Sequence, residues 1–115
     1  MRHTRTFVVV IAAVLFIASA AFASVAWSKL FVSTYKPKAD GAIVKAKCQL
    51  CHTKGAALNL YGASMKGMKI EAASLKSVEK LDSDKDKFTN IAEIKAGTLP
   101  GDPNSKPASK AKPKK

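Results

Sequence analysis

Five consecutive residues, Cys48-Gln49-Leu50-Cys51-His52, hold both cysteines of the chain and one of its two histidines. Two thiols three positions apart, with an imidazole directly after the second, allow three kinds of chemistry. The first is a structural zinc site, which takes four ligands. Beyond Cys48, Cys51 and His52 the sequence offers only His3 at the far N-terminus. The second is a dithiol redox pair of the thioredoxin kind, which sits in a βαβ unit; no convincing strand pattern precedes Cys48. The third is addition of both thiols across the two vinyl groups of a haem, with the imidazole set beside the second thioether to ligate the iron. The C-x-x-C-H spacing suits that attachment and uses all three side chains.

A second constellation runs from Asp82 through Ser83, Asp84, Lys85, Asp86, Lys87, Phe88, Thr89, Asn90, Ile91 and Ala92 to Glu93. Counted from Asp82, side-chain oxygens fall at positions 1, 3, 5 and 9, the Phe88 carbonyl at 7 and the Glu93 carboxylate at 12. That is the spacing with which a loop wraps a calcium ion in hard oxygen ligands. Two residues depart from the pattern. Position 6, where the sharp turn favours glycine, is Lys87, and a side chain forced into the left-handed region there costs about 1 kcal/mol or more. Lys85 and Lys87 also bring two positive charges to the acidic groups. A charged, solvated loop without an ion is therefore the competing reading.

The elements that must position these residues are read as helices. Asp40 is placed to cap a first helix, with Ile43, Ala46 and Leu50 on one face, that runs into the cysteines. Leu58, Tyr61, Met65 and Met68 make a second stripe, weakened by Gly62 and Gly67. A third helix is expected from about Glu71 to Leu81 with Leu75, Val78 and Leu81 inward. A short fourth holds Ile91 and Ile94 and stops at Gly97. The domain comprises 37–103, a size at which a hydrophobic core alone is marginal and a bound cofactor is often the staple.

Both ends of the 115-residue chain differ from this centre. Arg2, His3 and Arg5 precede the apolar run from Phe7 to Ala18, followed by Ala21-Phe22-Ala23. This is the pattern of an export signal over 1–23, cleaved before Ser24. Residues 7–27 are equally long enough to remain as a membrane anchor, with Trp27, Phe31 and Tyr35 as an interfacial aromatic stripe. Either way 24–36 reads as a linker and the rest as exported, periplasmic in localisation. From 104 to 115 five lysines stand among Pro, Ala and Ser, a disordered basic tail. Of 20 Lys and Arg against 8 Asp and Glu in the whole chain, 37–103 keeps 11 lysines and all 8 acids, a net +3. The chain beyond the signal has no arginine, so no nucleic-acid role is expected.

On the residues Cys48-Gln49-Leu50-Cys51-His52 and the helix leading into them, roughly 40–68, the chain resembles a small monohaem cytochrome c. The resemblance implies an all-α domain around one covalent haem c, with thioethers on Cys48 and Cys51 and His52 as the proximal iron ligand. In the larger cytochromes of that kind a methionine closes the far side of the iron from a loop well downstream. Here the methionines after His52 are Met65 and Met68, 13 and 16 residues on. Both are candidate distal ligands, with Met68 preferred because Gly67 loosens the chain beside it; the competing reading for a methionine at helical spacing beside Leu58 and Tyr61 is core packing. The stretch from Asp82 to Ser105 is similar to the thrombospondin type 3-like and EF-hand-like calcium motifs of exported bacterial proteins, which implies Ca2+ on Asp82, Asp84, Asp86, Phe88, Asn90 and Glu93.

No nucleophile–base pair or phosphate loop is evident, so the expectation is a non-enzymatic, monomeric one-electron carrier. Lys45, Lys47 and Lys54 could steer acidic redox partner proteins. Two other functions remain open: a haem-based sensor or small-ligand binder with an open sixth position, and a calcium-dependent interaction module stapled by haem.

Overall fold

The computed structural model describes residues 25–108. The expected export signal over 1–23, with cleavage before Ser24, and most of the alternative anchor over 7–27 lie outside the described residues, as does the end of the basic tail from 109. Among the described residues all regular structure is helical and there is no strand; a single antiparallel bridge pairs His52 with Leu58. No helix among them is long and apolar enough to cross a membrane.

The chain is already helical at 25–35 (α1), where the sequence reads a linker. The reason lies in the spacing by four of Trp27, Phe31 and Tyr35, which places three rings on one helical face. That face packs on the domain instead of standing free as an interfacial stripe. Phe31 is 2% exposed, its ring 4.9 Å from that of Tyr35 and edge-on to Tyr61 at 6.3 Å. The Tyr35 hydroxyl donates to a Glu79 carboxylate oxygen at 3.0 Å, which fastens α1 to the turn around Glu79. Burial, then the hydrogen bond and charge of Glu79, push the Tyr35 phenol well above its ordinary range. Phe31→Ala should therefore cost about 3–5 kcal/mol in urea unfolding. A loss below about 0.5 kcal/mol would make α1 a loose appendage.

Four short helices follow: α2 (Ala42–Ala46), α3 (Leu60–Ser64), α4 (Ala72–Ser77) and α5 (Asn90–Ala96), with a 3-10 turn at Lys47–Leu50 after α2. Helices of five to seven residues are unstable alone, so packing of their apolar faces holds them. Ile43, Leu50, Tyr61, Met65, Leu75, Val78 and Ile94 join Phe31 in one core, with Cys51 and Leu99 against it. Tyr61 is wholly buried, and its hydroxyl has no partner among the described residues.

Three expectations change. Gly41, not Asp40, is the N-cap of α2, and no side chain caps it; the Gly41 N–H donates back to Lys38 at 2.9 Å, so the turn into the helix closes on backbone alone. Leu81 is 48% exposed because α4 ends at Ser77 and the following turn carries Leu81 off the inner face. Gly62 strengthens its helix's packing where the sequence reads it as a weak point, for a reason that belongs to the site. The stop of α5 is as expected: Gly97 takes φ 80° and its N–H returns to the Glu93 and Ile94 carbonyls.

Candidate functional site

The thiol turn begins where α2 breaks. Lys47 adopts φ 51°, and the chain tightens into the 3-10 turn carrying Cys48. Cys51 and His52 both donate their N–H groups to the Cys48 carbonyl, at 3.2 and 3.0 Å. In such a turn side chains three apart eclipse, so Cys48 and Cys51 leave from one side. Both are free thiols, Cys48 exposed and Cys51 half-buried. Burial, then the nearness of Cys48, pushes the Cys51 thiol up to about 11.

A residue the sequence reading passed over holds this turn. The Asn59 amide donates to both the Gln49 and the Leu50 carbonyls at 3.0 Å. Its side-chain oxygen accepts from the Gly62 N–H at 2.8 Å as the cap of α3, and its own N–H donates to the Cys51 carbonyl at 2.9 Å. One asparagine thus joins α3 to the turn through four hydrogen bonds. Gly62 completes the join: a Cβ there would collide with the Cys51 carbonyl, so α3 can lie this close only with glycine. The sequence signals were an Asn directly ahead of a helical pattern and a Gly inside it.

His52 is half-buried, and its Nδ1 is enclosed without a hydrogen-bond partner among the described residues. Its ring lines a cavity of about 260 Å³ together with Gln49, Thr53, Asn59, Leu99, Gly101 and Asp102. Neither methionine lines it. Met65 is 7% exposed within the core, as the packing reading expects; Met68 lies beyond the end of α3, 38% exposed, with its sulfur 3.9 Å from the Ser77 hydroxyl.

The acidic loop is built on its own carboxylates. Asp82 accepts from the Asp86 and Lys87 N–H groups at 3.1 and 2.9 Å, Asp84 from Asp86 at 3.2 Å, and Asp86 from Phe88 at 2.9 Å. Carboxylate oxygens of Asp82, Asp84 and Asp86 come within 4.8 Å of one another. Glu93 is 0% exposed, and both its oxygens lack a partner, as does one oxygen each of Asp84 and Asp86. Burial first, then Asp84, Asp86, Asp82 and Asp102, pushes the Glu93 carboxyl up to about 8. Burial likewise raises Asp84. A cluster of buried acceptors with no donor is the environment that a hard cation completes.

Lys87 takes φ 81° as its position requires, and Lys85 takes φ 62° as well, an additional strained position. Both lysines are exposed, and the unpartnered oxygens of Asp84, Asp86 and Glu93 accept from neither. Asn90, the expected ligand at position 9, is fully buried and also braces the loop. Its amide donates to the Val78 carbonyl and the Ser83 hydroxyl, both at 2.8 Å, and its oxygen accepts from the Ser83 N–H at 3.3 Å. The end of α4 leaves a carbonyl at Val78, and Asn90 satisfies it, tying the loop's two ends together.

Comparison with protein-family models, curated proteins and solved structures returned no match. Function therefore rests on these two centres.

Proposed function

We propose that this protein is an exported c-type cytochrome that carries single electrons through one covalent haem, with the acidic loop as a structural calcium site. The observation that carries the reading is the pair of free thiols in one preformed turn, closed by the Cys51 and His52 N–H groups on the Cys48 carbonyl, with His52 next in the chain. The donors fit the group. Cys48 and Cys51 would hold it by thioethers, His52 would face the iron, and the haem would supply an iron that cycles between Fe(II) and Fe(III). The chain's own contribution is to fix that turn through Asn59 and Gly62.

The cavity beside His52 is smaller than the roughly 300–1,000 Å³ of pockets that enclose a ligand. With Cys48 exposed, this favours a cofactor with an edge open to solvent, as exchange with a partner protein needs. Lys45, Lys47 and Lys54 are exposed around the turn and would steer an acidic redox partner in a salt-sensitive encounter. On the acidic loop, Asp82, Asp84, Asp86, the Phe88 carbonyl, Asn90 and Glu93 would hold calcium and join the start of α5 to the end of α4. The test is retention: the full chain from a host that matures c-type cytochromes should keep its colour through acid–organic extraction. Colourless, folded protein from that host would overturn the reading.

A second reading, a small-ligand binder with an open sixth position, is favoured by the absence of Met65 and Met68 from the cavity beside His52. Carbon monoxide separates the two. For a carrier closed by Met68, the reduced protein binds the gas slowly and Met68→Ala makes binding fast. Met65→Ala, by contrast, costs about 2–5 kcal/mol of stability and leaves the spectrum in place. Fast binding by the unaltered protein would select the binder.

A further inference from the structure

The thiol turn and the acidic loop lie more than thirty residues apart in sequence, yet one segment touches both. Glu93 serves it twice. Its buried, unpartnered carboxylate stands in the field of the aspartates, while its backbone carbonyl receives the Gly97 N–H, the Thr98 N–H at 3.0 Å and the Thr98 hydroxyl at 3.4 Å. The chain then folds into a closed turn. The Leu99 N–H donates to the Ser105 hydroxyl at 3.0 Å, the Asp102 N–H to the Leu99 carbonyl at 3.2 Å, and the Ser105 N–H to the Asp102 carbonyl at 2.9 Å. Leu99 packs on the core and Pro100 is fully buried.

At the tip of this turn Gly101 lies flat on the Asn59 amide. A Cβ on Gly101 would stand 2.7 Å from the Asn59 Cγ and Oδ1 and 2.8 Å from its Nδ2. Asn59 cannot move aside cheaply, because that amide holds the Gln49 and Leu50 carbonyls. Contacts thus link Glu93 to Thr98, and, three residues along the same closed turn, Gly101 to Asn59 and through it to the Gln49, Leu50 and Cys51 carbonyls.

We propose that residues 97–105 form a latch through which a hard divalent cation on the acidic loop closes the thiol turn, pressing Gly101 on Asn59 and shielding Cys51. The proposal rests on the cation reading of the loop and is independent of haem. With the cation held, Glu93 is drawn into the loop and fixes the last turn of α5, from which the latch starts. Without it, the unpartnered oxygens of Asp84, Asp86 and Glu93 crowd one another beside the first turn of α5, the Glu93 carbonyl that anchors the latch is held less firmly, and the latch opens more often. A cation on the loop then acts at Cys51 and His52 as well as on α4 and α5.

The test uses the haem-free full chain with reduced thiols. Melting temperature and iodoacetamide alkylation are measured in millimolar calcium and in chelator. Exposed Cys48 is the internal standard. Calcium should raise the melting temperature and slow Cys51 about tenfold relative to Cys48. Gly101→Val should keep the thermal rise and lose the protection. Ser105→Ala, which opens the turn without crowding Asn59, should lose part of it. A thermal rise with unchanged Cys51 reactivity overturns the latch alone, as does full protection surviving in both variants. No thermal rise overturns the cation reading and the latch with it.

Discussion

With calcium chelated, Glu93→Gln should be more stable than the parent protein at pH 8–9 by a few kcal/mol, and millimolar calcium should reverse the order. The Glu93 carboxyl is fully buried, has no donor among the described residues, and is pushed up to about 8 by burial and four aspartates. Its ordinary value is 4.5. Between those values the folded protein keeps a proton that the unfolded chain has released, so the unfolded state binds fewer protons and stability falls as pH rises. The contribution is complete below about 4.5 and has drained away by about 8. Asp84, raised for the same reason, adds a slope of the same sign. Glutamine has no proton to lose and carries no charge into the cluster, so the variant's slope is shallower and its loss smaller.

Calcium inverts this because the ion replaces the proton. It stabilises the parent by about 2.7 kcal/mol at a hundredfold excess over its dissociation constant, binds more tightly as pH rises toward 8, and releases a proton below that. Glu93→Gln lacks the charged carboxylate and responds weakly. Urea unfolding from pH 5 to 9, in chelator and in calcium, reads all of this. A parent that is flat with pH and indifferent to calcium would show that the loop has kept acidic spacing without acidic function.

Replacing both Cys48 and Cys51 by alanine should reduce covalent haem to background in a host that matures c-type cytochromes. His52→Ala should retain haem on the polypeptide while changing the iron's ligation spectrum and lowering yield. The difference follows from the separate jobs of the three residues: thioethers tether, and the imidazole ligates. The two thiols are also unequal in the folded chain. Cys48 is exposed, whereas Cys51 packs on the core and is neutral at pH 7, and a neutral thiol is a poor nucleophile. Single replacements should therefore differ, with Cys51→Ala keeping more attached haem than Cys48→Ala when loading follows folding. Haem covalently retained by the double variant would remove the proposed attachment.

What the sequence made legible is what is encoded within about a dozen residues. The C-x-x-C-H spacing, the acidic positions from Asp82 to Glu93, the left-handed demand at Lys87 and the stop at Gly97 are all local. The fold class was legible for the same reason, since Ile43, Leu50, Leu75 and Ile94 recur at helical intervals. The parts that escaped are long-range pairings between residues that are ordinary in isolation. Nothing near Tyr35 points to Glu79, 44 positions on. Gly101 looks like one more turn glycine until Asn59 is placed beneath it. Asn90 carries an oxygen at ligand spacing, and its bond from the amide nitrogen to the carbonyl exposed where α4 stops is a second job that spacing alone does not show. That helix end was itself set too late in the sequence reading, which put Leu81 inside.

If 7–27 is kept as a membrane anchor, the docking of α1 determines how far this domain travels from it. A flexible coil over 24–36 would act as a tether with an r.m.s. reach of roughly 20 Å in any direction. Phe31 in the core and the Tyr35 bond to Glu79 replace it with a lever of fixed bearing, advancing about 1.5 Å per residue. A domain on a tether tumbles and offers every face in turn. On a lever it offers the same face each time, so the burden of orientation falls on the partner, and changes at the Phe31 hinge should alter encounter rates while leaving the thiol turn untouched.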